Sequence, residues 1–221
     1  MLDIILAFLL LIVLPARALW RREKKPSDTP RSRRYTVTTL MIAGLLTILW
    51  IDWWIAGRSL ATLGLGLPTT TPALIGLGAS AGILALFRIL IWYKRGAPAP
   101  EAERAARELL PQTASEIRMF VVFSLAVGIG WEVLYRGFLL FYLPIYVGLV
   151  AAVIVSAISY GVGHGFKNVG QFAGSIVAAL VFAIGYALTA NLWWLAILHV
   201  GLPLLTLTVR SDERDGVIPH A

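Results

Sequence analysis

The chain has no cysteine, which excludes disulfides, thiolate metal sites and a cysteine nucleophile. Charge is scarce as well: 14% of the 221 residues are Asp, Glu, Lys or Arg, against about 25% in ordinary soluble domains. Histidine occurs only as His164, His199 and His220, so any imidazole chemistry must draw on these three. The composition is instead apolar, at 58%, and arranged in runs long enough to cross a hydrocarbon core about 30 Å thick. A soluble domain of this length is excluded. The expected fold class is all-α: a polytopic helical membrane bundle, because a backbone in lipid must satisfy its own hydrogen bonds.

Seven apolar segments of about 18 to 25 residues are expected as spans. They are Leu2 to Trp20, Tyr35 to Gly57, Thr71 to Tyr93, Arg118 to Tyr142, Pro144 to His164, Gly170 to Asn191 and Leu192 to Val209. The first lacks the preceding basic region and the small-residue cleavage site of a signal peptide, so it is read as a membrane helix. If the Pro144 to Gly148 stretch is loop, the fifth helix begins near Leu149 and His164 moves toward mid-membrane. The chain divides into N-terminal helices (1–117), a core (118–209) and a polar tail (210–221).

The basic residues behind the net charge of +7 cluster just outside the apolar runs. Seven Lys or Arg fall between Arg21 and Arg34, and Lys94, Arg95, Arg104 and Arg107 lie in the next linker. Such clusters read as topology signals and contacts to anionic lipid headgroups; nucleic acid is not an expected partner. With seven helices, the positive-inside rule places the C-terminus in the cytoplasm of a prokaryotic cell. Glu101 to Leu110, rich in helix formers, is expected as a short surface helix. Gly78 with Gly82, and Gly170 with Gly174, are expected to be close helix contacts.

Against this background Glu132 and Arg136 stand out. A carboxylate in hydrocarbon costs several kcal/mol, roughly 2.5 to 3.5 on insertion scales, so its presence points to function. Four residues apart on a helix, the two share a face and pair. His164 lies among Gly161, Gly163 and Gly165, His199 follows the Trp193-Trp194 belt, and His220 belongs to the polar tail. Glu132, His164 and His199 come from three segments and form a set able to activate water, by general base catalysis or by holding a divalent cation such as zinc. No His-Glu-x-x-His run is present. Asp52, among Trp50, Trp53 and Trp54, reads as interfacial, and Arg88 is expected to extend toward the surface near Trp92 and Tyr93.

Three motifs in order resemble the CPBP intramembrane proteases, also called the Abi or type II CAAX prenyl endopeptidase family. Trp131-Glu132-Val133-Leu134-Tyr135-Arg136 is similar to Glu-Glu-x-x-x-Arg, Tyr160 to His164 is similar to Phe-x-x-x-His, and His199 to Pro203 is similar to His-x-x-x-Asn or Asp. The resemblance implies a membrane-embedded peptidase acting on a membrane-associated peptide or protein, with Glu132, Arg136, His164 and His199 as catalytic residues. Trp131 stands where the family has its water-activating glutamate, and Pro203 where it has Asn or Asp. Two other readings remain open: an inactive relative that binds or scaffolds a membrane partner, and a small transporter using the same groups as a proton relay.

Overall fold

A computed structural model describes residues 1–22, 29–93, 110–165 and 168–215; the side chains of 21–22 and 208–215 are excepted. Residues 101–109 of the expected surface helix, and His220, lie outside the described residues. The described chain is helical, with no strand. Helix α1 (residues 2–22) runs through Leu2–Phe8, a π turn at Leu9–Val13 and Leu14–Arg22. It is followed by α2 (Arg31–Ile55), a short 3-10 turn (Leu60–Leu63) and α3 (Thr71–Tyr93).

Helix α4 (Ala114–Tyr142) carries a second π turn at Val133–Phe138. Then come α5 (Pro144–Gly163), α6 (Val169–Thr189) and α7 (Trp193–Asp215). Six of these hold a stretch long and apolar enough to cross a membrane, Leu2–Trp20 in the case of α1. Within the residues whose side chains are described, the apolar part of α7 is Trp193–Leu207, about 22 Å long. The outer surface confirms the membrane reading: Leu40, Trp54, Ile75, Val150 and Leu188 all point outward.

Local chemistry sets the helix ends. Thr113 accepts from the Glu116 amide while the Glu116 carboxylate accepts from the Thr113 amide, a capping box that starts α4. Asn168 caps α6 by accepting from the Gln171 amide at 2.8 Å. Helix α5 is broken at Gly148, whose φ of 76° and ψ of 162° only glycine adopts freely. Residues 144–147 form a separate turn, and the long helix begins at Leu149. The late start foreseen from the sequence is therefore present.

Helices approach closest where one contributes a glycine. A β-carbon on Gly128 would lie 2.4 Å from Val200, joining α4 to α7. The corresponding distances are 2.5 Å from Gly161 to Ile176 (α5 to α6), 2.3 Å from Gly130 to Ile42 (α4 to α2), and 2.7 Å from Gly201 to Leu84 (α7 to α3). The glycine pairs singled out in the sequence do not do this. Gly78, Gly82 and Gly174 have nothing within 4 Å of a β-carbon, and Gly170 meets only its neighbour Asn168. Spacing of four puts two glycines on one face without telling which face meets another helix.

Both π turns occur where α1, α4 and α5 meet. A wider turn leaves a main-chain carbonyl short of its usual helical partner. Leu10 O in the first accepts the hydroxyls of Tyr135 (3.0 Å) and Ser159 (2.8 Å), while Tyr135 O in the second accepts from Ser156 at 2.7 Å.

At the other end of α1, Arg58 bridges Asp3 (2.8 Å) and Asp52 (3.1 Å), its guanidinium 4.9 Å from the Trp53 ring centre. The carboxylates, through the Asp3 hydrogen bond first, hold the Arg58 pKa above its ordinary value. Asp52 is thus structural, as expected, with a partner the sequence did not name. Arg58→Ala leaves two neighbouring carboxylates without their cation, so hydrogen exchange over residues 2–8 is expected to rise. Unchanged exchange there would show that the bridge does not hold α1. Arg88 is half-buried, and its Nη1 has no hydrogen-bond partner among the described residues.

Candidate active site

The π turn begins directly after Glu132, and all six of its residues, Val133 to Phe138, are buried. Glu132 and Arg136 sit at the bundle centre with 0% and 1% of their side chains exposed. Helix α7 reaches them because its start is pinned. Leu192 N donates to Gly64 O at 2.8 Å, Asn191 and Trp193 donate side-chain N–H groups to Gly66 O, and Asn191 Oδ1 caps the Trp193 amide. With that end fixed and Val200 seated on Gly128, His199 faces Glu132.

The contacts form one knot. Glu132 Oε1 accepts from His199 Nδ1 at 2.8 Å and from Arg136 Nη1 at 3.4 Å. Arg136 Nη2 donates to Ala179 O on α6 at 3.2 Å, and its guanidinium carbon lies 4.2 Å from the Tyr160 ring centre. Tyr160 Oη is 3.3 Å from His199 Nε2. Glu132 Oε2 and Arg136 Nε are buried with no hydrogen-bond partner among the described residues. The i, i+4 pair read from the sequence is therefore present, and His199, 67 residues away, joins it.

His164 does not join it directly. It ends α5, its Nδ1 beside Tyr160 O at 3.2 Å, with its ring centre 4.4 Å from that of Tyr160. Tyr160 therefore separates the two imidazoles, the one hydrogen-bonded to its hydroxyl and the other packed on its ring. The zinc set considered from the sequence, Glu132, His164 and His199, does not fit this arrangement. Among the described residues no three His, Cys, Asp or Glu gather as metal ligands, and the oxygen of Glu132 nearest His199 is already engaged by two donors.

A cavity of about 480 Å³ opens beside the knot, at the end of the bundle where α1 and α5 finish and α2 begins. It is lined by Leu14 and Arg17 of α1, Thr38 and Met41 of α2, Phe123, Trp131 and Tyr135 of α4, and Tyr160 and His164 of α5. Glu132, Arg136 and His199 do not line it. Of the four residues singled out in the sequence, His164 alone lines the cavity, and the other three lie behind Tyr160 and Trp131. The reason is the one-turn offset between Tyr160 and His164, which leaves His164 at the mouth.

Tyr160 was read in the sequence only as a minor replacement for phenylalanine. A hydroxyl four residues before a histidine was the available signal. Pro203 has a local effect: lacking an N–H, it withholds from the His199 carbonyl its partner four residues on.

These features define a polytopic helical membrane protein with a buried carboxylate–imidazole–guanidinium centre beside a cavity. Residues 113–205 match the family model of the type II CAAX prenyl endopeptidase Rce1-like proteins. Over that stretch the chain is similar to a family of proteases, the one that the three motifs resemble. No curated protein and no solved structure matches it.

Proposed function

We propose that the protein hydrolyses a peptide bond of a membrane-associated substrate, using the Glu132–His199 pair as its proton-accepting centre. The observation that carries this reading is the 2.8 Å contact between Glu132 Oε1 and His199 Nδ1. A carboxylate that holds an imidazole in one tautomer and balances its charge raises the basicity of the other ring nitrogen. Arg136 pairs with the carboxylate and fixes its orientation. His164, on the cavity wall, is the candidate partner for the oxyanion. The cavity lies at the end of the bundle that carries the basic Arg21–Arg34 linker, which by the positive-inside rule faces the cytoplasm.

A second reading has its own support. Trp131 occupies both the cavity wall and the place of the family's first glutamate, so the chain would bind a membrane peptide without cleaving it. One experiment separates the two. Purified protein in liposomes is given a fluorophore–quencher peptide ending in an apolar segment, alongside Glu132→Gln, His199→Ala and Trp131→Glu variants. The hydrolase reading expects cleavage by wild type and a loss of about 10²-fold or more in the first two variants. Silence from wild type with cleavage gained by Trp131→Glu would replace it with the binding reading.

A further inference from the structure

We propose that Tyr160 is the outlet of the buried centre, so that Glu132, His199 and Tyr160 form a carboxylate–imidazole–hydroxyl relay whose hydroxyl end meets the cavity. The proposal rests on the hydrolase reading and assigns the group that faces substrate. Its basis is geometric. Among the described residues Tyr160 is the one that both lines the cavity and hydrogen-bonds to the Glu132–His199 pair.

The polarity of the relay follows from its ends. An ionised carboxylate only accepts, so His199 Nδ1 carries the proton given to Glu132. Neutral His199 then has a lone pair on Nε2, and the Tyr160 O–H donates to it at 3.3 Å. The hydroxyl cannot drift, because its ring is held between Arg136 on one side and the rings of Tyr135 (5.1 Å) and His164 (4.4 Å). A carboxylate, an imidazole and a hydroxyl in this order repeat the logic by which a hydroxyl is activated in hydrolases of unrelated folds, where roles and geometry define the set rather than sequence position.

The proton balance closes. As a water oxygen bonds to the scissile carbonyl carbon, its proton passes to Tyr160 Oη and the Tyr160 proton passes to His199 Nε2. The imidazolium formed lies against Glu132. When the C–N bond breaks, Tyr160 gives its proton to the leaving nitrogen and recovers one from His199. No oxidant, cation or further acid is consumed. The same arrangement explains how a carboxylate with no exposed surface acts on a water it does not touch.

The test uses the full chain in lipid nanodiscs, labelled with ¹⁵N-histidine, with Tyr160→Phe as the variant because it keeps the ring under Arg136 and beside His164. Only three histidines are present, and His164→Gln and His220→Gln spectra assign the signals. Wild-type His199 is expected to show a protonated Nδ1 and a hydrogen-bonded, unprotonated Nε2. In Tyr160→Phe the Nε2 signal should move toward that of a free lone pair while Nδ1 stays in place, and peptide cleavage should fall about 10²-fold or more. An Nε2 signal identical in the two proteins, or cleavage within twofold of wild type, would overturn the relay. If wild type cleaves nothing, the hydrolase reading fails on its own, and the nitrogen signals still decide whether Tyr160 is bonded to His199.

Discussion

Glu132→Leu is expected to lower the stability of the purified protein by about 3 to 5 kcal/mol, and Glu132→Leu with Arg136→Leu to recover most of that loss. The single change strands the Arg136 guanidinium, 1% exposed, without its counter-charge, and an uncompensated buried charge costs about that much. Removing both charges replaces a desolvated ion pair by apolar side chains of similar volume, which in other proteins is close to neutral. Recovery should be incomplete, because His199 Nδ1 also loses its acceptor. Cleavage, by contrast, should be absent in both variants. Unfolding midpoints in detergent, read beside the cleavage assay, separate these effects. If Glu132→Leu alone were as stable as wild type, the two charges would not be paired in the folded protein, and the account of the knot would fail.

The second large effect is steric. Gly128→Leu should cost about 1 to 3 kcal/mol or more through overpacking and should also abolish activity. A β-carbon at 128 already falls 2.8 Å from the Val200 backbone nitrogen, so no side-chain rotation relieves the clash. The helices must separate, and Gly128 is one turn from Glu132 as Val200 is next to His199, so the 2.8 Å contact opens with them. Gly78→Ala supplies the contrast. Nothing lies within 4 Å of its added carbon, and the helix interior should gain about 0.5 to 1 kcal/mol from the reduced backbone entropy. Equal behaviour of the two variants in thermal unfolding would show that the α4–α7 crossing is not where the glycine matters.

Much of this was legible in the sequence because lipid imposes so few solutions. Apolar length alone marks the helices, and Glu132 and Arg136 are conspicuous where charge is expensive. Their pairing follows from spacing within one helix. What spacing cannot reveal is which faces of different helices meet. That is why Gly78 and Gly82 looked like a contact and Gly128 did not, and why His164 and His199 looked equivalent although only one reaches Glu132. The π turns were equally hidden, since Val133 to Phe138 has no composition that distinguishes a wider turn from an ordinary one. Tyr160 escaped because a comparison with phenylalanine weighs its ring, whereas its position against His199 gives the hydroxyl its importance.

The Leu10 carbonyl has a consequence for where this molecule can be cut. The stretch that matches a family model begins at residue 113, yet the floor of its centre is tied to a main-chain oxygen about a hundred positions earlier by the Tyr135 and Ser159 hydroxyls. Expressed alone, residues 113–205 would present those two hydroxyls to lipid and leave one side of the cavity without a wall. The stretch that matches the family model and the unit that folds are then of different size, and a shortened version of this protein has to keep the helix that carries Leu10.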